Sequence, residues 1–149
     1  MALELLIQQK GATIHYDQLP KIRGIRVLIY QLFYNLVNNA LKFSKEKGNN
    51  RITIRVKKVK GHEVNGSSNL VPGKEYLSIE INDTGIGFDQ EQGERMFQIF
   101  TRLNTKHKYE GTGLGLALCK KIVLRHHGNI IAHGKEDEGA SFKVLLPAQ

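Results

Sequence analysis

Between residues 26 and 43, apolar side chains recur at steps of three and four positions. This spacing gives a helix one continuous apolar stripe, which a soluble chain must bury against another layer. Two later segments, Arg51–Val59 and Tyr76–Asn82, alternate apolar and polar residues as half-buried strands do. The loop over 61–73 between them is rich in Gly, Ser, Asn and Pro, so we expect adjacent antiparallel strands.

Shorter patterns lie around these elements. Residues 12–16 alternate weakly and predict a short strand. Residues 89–100 favour a short helix that ends in the aromatic pair Phe97 and Phe100. Residues 101–110 are polar and charged without periodicity, so we expect a mobile loop there.

The last part of the chain predicts a helix and two closing strands. Helical spacing returns over Leu114–His127, and Gly128 follows where a C-cap glycine belongs. Ile130–Ala132 and Phe142–Leu146 are typical of strands joined by turn residues over Gly134–Gly139. The order of elements predicts an α/β (α+β) two-layer sandwich, with helices on one face of a mixed, mainly antiparallel sheet.

The composition is typical of one soluble domain. A chain of 149 residues suits a single core, and no apolar run approaches the roughly 20 residues needed to cross a bilayer. The net charge of +8 attracts any polyanion, but the one dense basic cluster, Lys57, Lys58 and Lys60, lacks interleaved aromatic residues. We therefore expect a solvated loop face there, not contact with nucleic acid or membrane. The single cysteine, Cys119, lies in an apolar helical pattern, which indicates a buried side chain and a reducing, cytoplasmic setting.

The first predicted helix contains Asn35, Asn38 and Asn39, followed by Lys42. Asparagine is unfavourable inside a helix because its side chain competes for backbone hydrogen bonds. Asn35, Asn39 and Lys42 project from one side of the helix, where amide oxygens suit Mg²⁺ and an ammonium group suits phosphate. A polar helix face exposed to water is the alternative for this block alone.

Two glycine-rich blocks follow. Asp83, Gly85 and Gly87 come directly after a predicted strand, where the glycines permit a sharp turn close to a ligand and the carboxylate accepts a hydrogen bond from an amino group. A turn without a ligand is the competing explanation. The block GTGLGL over 111–116 opens the last long helix, where free backbone N–H groups and the helix dipole favour phosphate. Its spacing is neither that of a dinucleotide-binding fingerprint nor that of a Walker loop.

The order of the three blocks is more specific than any one of them. An asparagine-rich helix, then DxGxG, then GxGLG at the start of another helix resembles the Bergerat ATP-binding fold of histidine kinases, gyrase-type topoisomerases, mismatch-repair ATPases and certain chaperones. The resemblance spans about residues 12–147. It is closest to the catalytic and ATP-binding domain of bacterial sensor histidine kinases, whose N, G1, F and G2 boxes are similar to NLVNNALKFS, DTGIGF, MFQIFTRL and GTGLGLAL.

This resemblance implies ATP and Mg²⁺ as cofactors and gives roles to the first long helix. Asn39 would hold Mg²⁺ with Asn35 beside it, and Lys42 and Phe43 would line the site as phosphate contact and ring wall. Gyrase-like ATPases carry a glutamate that activates water in the place of Asn35. An amide cannot act as a general base, so Asn35 argues against efficient hydrolysis.

The resemblance implies roles for the two glycine-rich blocks as well. Asp83 would select adenine through its amino group. The adenine pocket would be shaped by Gly85, Ile86 and Gly87. The phosphates would be wrapped by Gly111, Thr112, Gly113, Leu114 and Gly115.

Between those blocks, the resemblance implies a lid over 88–110 that orders on nucleotide binding. Arg102 would steady the terminal phosphate during transfer. Phe97 and Phe100 are expected to dock against a partner helix pair or the domain body, and not to contact the cofactor.

None of the histidines has the sequence context of the family's phosphoacceptor box. They are expected to be ordinary surface or strand residues: His15, His62, His107, His126, His127 and His133. We therefore expect residues 1–11 to be the tail of a linker helix from an acceptor domain, and 12–149 to be the catalytic domain. Its expected partners are the dimerisation and histidine acceptor domain and the receiver domain of a response regulator.

The favoured hypothesis is a donor domain that passes the γ-phosphate of ATP to a histidine on that acceptor domain. The main alternative is a non-catalytic or regulatory nucleotide-binding module of the same fold, which the intact Asn39 and Asp83 make less favourable. The setting is expected to be cytoplasmic, whether or not the parent protein is anchored in a membrane.

Overall fold

The computed structural model describes residues 13–16, 22, 24–42, 51–65, 69–87, 97, 114–135 and 138–148. The helix predicted over 89–100 lies outside these residues apart from Phe97, and the loop predicted over 101–110 lies outside them entirely.

Within these ranges, two α-helices form one layer. α1 spans Arg26–Lys42 and α2 spans Leu114–Arg125, so both helices predicted in these ranges are present. Successive turns of α1 bury one apolar side, as the three- and four-residue spacing predicts. The buried side chains of α1 are Leu32, Leu36, Ala40 and Leu41.

Five strands lie within the described residues and form one sheet. They are β1 Thr13–Tyr16, β2 Arg51–Lys60, β3 Glu75–Asp83, β4 Asn129–Lys135 and β5 Gly139–Pro147. Their order across the sheet is β1-β2-β3-β5-β4. β1 runs parallel to β2, and the other neighbouring pairs are antiparallel. The predicted pairing of the two alternating segments is confirmed, and the sheet is mixed and mainly antiparallel as predicted.

The main core lies between the helices and one face of this sheet. Ile79 and Ile81 of β3, with Phe142 and Val144 of β5, belong to the same buried cluster as the apolar side of α1. Cys119 of α2 joins them, fully buried, as its apolar surroundings in the sequence indicate. Both helices therefore cover one face, which confirms the predicted two-layer sandwich.

A smaller cluster, the outer cluster, packs on the opposite face of the sheet. Its buried members are Leu70, Tyr76, Ile131 and Leu145. Successive side chains of a strand point to opposite faces of the sheet, so Tyr76 lies on the face opposite to Ile79 and Ile81, away from the helices. The loop after β2 covers the cluster, and the N–H of Val71 in that loop donates to the Tyr76 hydroxyl at 2.9 Å.

The turn between β4 and β5 is shorter than the sequence predicts. Gly134 and Gly139 were expected in the turn, but both lie in the strands, where Gly134 is opposite Ala140 and Lys135 is opposite Gly139. Backbone pairing needs no apolar side chain, so the alternation of apolar and polar residues underestimated the length of both strands.

The assignment of Gly128 as the C-cap glycine is wrong. The residue with left-handed backbone is His127, with φ of 64°. The N–H groups of His127 and Gly128 donate to the carbonyls of Leu124 and Val123 at 3.0 and 2.8 Å, the two bonds of a Schellman motif with His127 at its C′ position. Gly128 is required for another reason, because a Cβ there would overlap the carbonyl oxygen of Leu145 on β5.

The surface features predicted from composition are mostly confirmed. Lys57, Lys58 and Lys60 are exposed, although they lie on β2 itself and not on a loop face. No helix within the described ranges is both long enough and apolar enough to cross a membrane.

Candidate functional site

The asparagine-rich side of α1 meets the start of α2. Asn35, Asn38 and Asn39 are all half-buried. The side-chain oxygen of Asn35 accepts a hydrogen bond from Gln31 Nε2 at 2.7 Å, and its Nδ2 donates to the carbonyl of Gly115 at 3.4 Å. Two residues that the sequence analysis assigned to one site, Asn35 and Gly115, are therefore in contact across the helix pair.

Next to this contact, the Cys119 thiol points back at α1. Its Sγ donates to the carbonyl of Leu32 at 3.7 Å. Burial raises the pKa of the Cys119 thiol to about 12, and its hydrogen bond with Asn35 opposes that rise. A thiol that stays protonated at neutral pH is a poor nucleophile, so Cys119 acts in packing the helices.

Asp83 is the last residue of β3 and the most perturbed carboxyl group among the described residues. Its Oδ1 accepts the N–H of Gly85 at 2.8 Å, which closes the turn that follows the strand. Burial raises the pKa of Asp83 from its ordinary value of 3.8 to about 6, while the backbone N–H groups of Gly85 and Ala140 oppose the rise. The group is still mainly ionised at pH 7, and an ionised carboxylate only accepts hydrogen bonds.

The neighbouring residue fixes the turn to the sheet. The Thr84 hydroxyl accepts the N–H of Arg51 at 2.9 Å, and the Thr84 N–H donates to the carbonyl of Arg51 at 3.1 Å. Arg51 begins β2, which lies beside β3. The turn after Asp83 is thus held from β2 as well as from its own strand.

Gly87 and Gly139 let this turn pack directly on the hairpin of β4 and β5. Gly87 has φ of 67°, and a Cβ there would overlap the carbonyl oxygen of Lys135. Gly139 has φ of 132°, and a Cβ there would overlap the carbonyl oxygen of Asp83. Backbone therefore packs on backbone here, and these glycines have a structural reason that is independent of any ligand.

Gly115 differs, because none of the described residues packs against it in a way that requires a glycine. It lies in the first turn of α2, is exposed, and has no atom of the described residues within 4 Å of the place a Cβ would occupy. Glycine is less favourable than alanine in a helix, so packing within the described residues does not explain why this position is a glycine.

Phe97 belongs to the domain body. It is buried in the main core, and its ring meets that of Phe142 edge to face, with centroids 6.3 Å apart and planes at 84°. Lys120 Nζ lies 5.5 Å from the centroid of the Phe97 ring and also donates to Asn129 Oδ1 at 2.6 Å. Of the two expected docking partners for Phe97, the domain body is confirmed.

Several predicted site residues lie outside the described residues, and their roles stay predictions. These are Phe43, Arg102, Gly111, Thr112 and Gly113. Lys42 is the last residue of α1, and Leu114 is the first of α2.

An open concavity of about 340 Å³ lies at the same end of the sheet. Its lining includes Asn82, Ser141 and His133, which form one row across β3, β5 and β4. Asn82 alternates with Ile81 and Asp83 along β3, so the row belongs to the face away from the helices. The lining also includes Asp83 and Gly139, so the concavity adjoins the turn that follows β3.

Comparison with known proteins identifies the family. The model of the histidine kinase-, DNA gyrase B-, and HSP90-like ATPase family matches residues 24–149. Cyanobacterial phytochrome A from Nostoc is 37% identical over 141 residues, which cover 95% of this chain and 16% of the relative. The adaptive-response sensory kinase SasA from Rippkaea orientalis is 30% identical over 145 residues, which cover 95% of this chain and 33% of the relative. The chain thus spans between about a sixth and a third of the length of these relatives.

A solved structure gives the same fold. The mycobacterial sensor histidine kinase MprB has a TM-score of 0.76 and 21% sequence identity, over 98% of this chain and 90% of that one. Its likeness concerns the fold, while the family assignment rests on the sequence match over most of the chain. The asparagine-rich α1, the Asp83 turn and the helix that opens at Leu114 all fall within the matched residues. The chain is a member of the histidine kinase-, DNA gyrase B- and HSP90-like ATPase family, and its curated relatives include adaptive-response sensory kinases.

Proposed function

We propose that this chain is the ATP-binding catalytic module of a two-component sensor histidine kinase. It binds Mg-ATP and donates the γ-phosphate to a histidine on a separate dimerisation and acceptor domain, from which a response regulator receives it. Residues 12–149 act as the donor domain, and residues 1–11 lead from the acceptor domain. The module works in the cytoplasm and contacts neither nucleic acid nor membrane itself.

The Asp83 carboxylate is the observation that carries the proposal. Gly85 and Ala140 each donate a backbone N–H to it, which fixes its orientation at the end of β3. Its remaining acceptor sites suit the exocyclic amino group of adenine, whereas guanine presents a carbonyl oxygen at that ring position and would be repelled. Because Asp83 is mainly ionised at pH 7, it acts as an acceptor and selects adenine.

The residues of α1 suit Mg²⁺ and a phosphate donor. Mg²⁺ commonly keeps several waters and takes few protein oxygens together with substrate phosphates, so one half-buried amide, Asn39, is a sufficient protein ligand. Bound there, Mg²⁺ would neutralise charge on the phosphates. The amide of Asn35 is not basic, so it does not activate water. It is hydrogen-bonded to Gln31 and to the carbonyl of Gly115, and thereby orients the start of α2 against α1.

The phosphates lie at the start of α2. Backbone N–H groups at a helix N-terminus are unpaired and favour anions, and the space around Gly115 leaves room for a ligand. Gly111, Thr112, Gly113 and Leu114 wrap the phosphates, Lys42 and Phe43 line them from the end of α1, and Arg102 steadies the terminal phosphate during transfer.

Calorimetric titration with a non-hydrolysable ATP analogue and Mg²⁺ tests the binding step. We expect adenine-selective binding that Asp83→Asn abolishes and that GTP does not reproduce. Glu80→Gln is the matched control, because it removes a carboxylate from the outer face of the same strand and should leave binding unchanged. Equal binding of GTP would refute the adenine pocket.

Transfer is tested separately by adding a purified acceptor domain and labelled ATP. Labelled phosphohistidine on the acceptor is the expected result. Tight binding of ATP without transfer to any acceptor domain would instead favour a regulatory nucleotide-binding module.

A further inference from the structure

The start of α1 has no capping group in its own sequence. The carbonyl of Ile25 accepts the N–H groups of Leu28 and Ile29, both at 2.9 Å, so Ile25 is the N-cap residue. Isoleucine has no side-chain acceptor, and the first turn of α1 contains no acidic residue that could reach back to the N-cap N–H. The N–H of Ile25 therefore needs an acceptor from elsewhere.

His126 supplies that acceptor from the end of α2. The N–H of Ile25 donates to His126 Nε2 at 3.0 Å, and His126 Nδ1 lies 2.8 Å from the carbonyl of Ile122. A carbonyl only accepts and an amide N–H only donates, so these partners assign the proton to Nδ1 and leave Nε2 as the acceptor. Gly24 lies close to the ring, since a Cβ there would be 2.9 Å from His126 Cδ2 and 3.0 Å from Nε2.

This contact is one of several between α1 and α2, which run antiparallel. His126 meets the beginning of α1, Cys119 meets Leu32 in the middle, and Gly115 meets Asn35 further along. An α-helix is a stiff rod with a rise of about 1.5 Å per residue, so fixing its first residue also limits how far its later residues shift along the axis.

We propose that His126 is a positioning residue that sets the lengthwise register of α1 against α2. Through this register it sets the spacing between the Asn39 amide on α1 and the start of α2 around Gly115. The inference rests on the proposed function, in which Asn39 holds Mg²⁺ and the start of α2 holds the phosphates. The adenine determinant, Asp83, lies on β3 and does not depend on this register.

The proposal therefore predicts that loss of the His126 acceptor affects two ligands unequally. His126→Leu keeps bulk but removes the acceptor, whereas His126→Gln places an amide oxygen near the position of Nε2. We expect His126→Leu to weaken binding of an ATP analogue with Mg²⁺ about tenfold, the usual effect of losing a residue that orients a metal ligand. Adenosine, followed by NMR titration, should bind within about twofold of wild type, because distant sites behave independently.

The conservative variant and a control histidine separate positioning from general damage. His126→Gln should recover most of the affinity for the Mg²⁺ complex, and His133→Leu, at an exposed position on β4, should change neither ligand. Equal loss of adenosine and of the Mg²⁺ complex in His126→Leu, or no loss of either, would overturn the positioning role.

A spectroscopic measurement keeps this inference distinct from the proposed function. Nitrogen-15 NMR of the His126 ring in wild-type protein should show a protonated Nδ1 and an unprotonated, hydrogen-bonded Nε2. The opposite tautomer would refute the contact with Ile25, whatever the protein binds. Failure of wild-type protein to bind any ATP analogue would refute the proposed function, and the ring spectrum would still decide whether His126 holds α1.

Discussion

The α-carbon of Gly139 lies directly against the carbonyl oxygen of Asp83, so that a Cβ at Gly139 would overlap it. Gly139 also has φ of 132°, a backbone conformation that residues with a Cβ rarely adopt. The position of Asp83, the residue proposed to select adenine, thus depends on a glycine of the neighbouring strand.

Gly139→Ala should therefore displace the Asp83 turn. We expect the free energy of unfolding to fall by more than about 2 kcal/mol, because the substitution adds both backbone strain and overlap. Urea denaturation measures the loss. Gly73→Ala is the control, since a Cβ at Gly73 has no described atom within 4 Å, and it should cost far less. Similar stability of the two variants would contradict the close contact.

The raised pKa of Asp83 predicts how stability depends on pH. A carboxyl group whose pKa rises from 3.8 to about 6 on folding stabilises the fold most below pH 4 and loses that contribution as pH rises through about 6. At pH 7.5 the buried charge costs at most about 3 kcal/mol. Nucleotide-free Asp83→Asn should accordingly melt at a higher temperature than wild type at pH 7.5, and the difference should shrink towards pH 4.5.

The same titration acts in the opposite sense on nucleotide binding. In the proposed site adenine needs the ionised Asp83 as acceptor, so affinity of the wild-type protein for the ATP analogue should fall as pH drops through about 6. Glu80→Gln, on the outer face of β3, should leave this pH profile unchanged. An affinity independent of pH between 5 and 8 would argue that Asp83 does not contact the base.

Gly115→Ala should move stability and binding in opposite directions. Among the described residues none lies near a Cβ at this position, and alanine is favoured over glycine in a helix by about 0.5–1 kcal/mol, so thermal stability should rise. The added methyl group would occupy the space proposed for phosphate, so affinity for the ATP analogue should fall. Thermal melts and calorimetry of the same preparation measure both effects. Increased stability with unchanged affinity would remove Gly115 from the phosphate site.

Phe97→Ala should destabilise the isolated chain. Phe97 is buried against Phe142, and removing a buried phenyl ring typically costs about 3–5 kcal/mol. Lys120→Met, which removes the charge over the ring but keeps the side-chain length, should cost much less. If Phe97 instead served only to dock against a partner helix pair, its replacement by alanine would not lower the stability of the isolated chain. Chemical denaturation without any partner therefore distinguishes core packing from docking.

Local patterns in the sequence predicted most of the elements within the described residues. The stripe on α1 and the alternation in β2 and β3 each arise from side chains that face one core, and such periodicity is visible without the fold. The Asp83 turn was also predictable, because its carboxylate and Gly85 act two residues apart.

Contacts between distant residues explain where prediction from sequence failed. Glycine favours left-handed backbone, so the sequence predicted Gly128 as the cap residue. In the structure Gly128 is needed instead where the backbone of Leu145 approaches closely, and His127 has the left-handed conformation. The His126 contact with Ile25 joins residues 101 positions apart, so His126 was expected to be an ordinary surface residue. Only the missing capping group at Ile25 hinted that a partner was needed.

β3 is bonded along its length to β2 on one side and to β5 on the other. Backbone amides in such a strand exchange with solvent mainly when the whole domain opens, whereas helix ends and loops exchange through local fluctuations. Asp83 is the last residue of that strand, and its turn is fastened to both neighbours. In the proposed function, base recognition therefore depends on a strand that we expect to open only with the whole domain, so it should persist through local fluctuations at the helix ends.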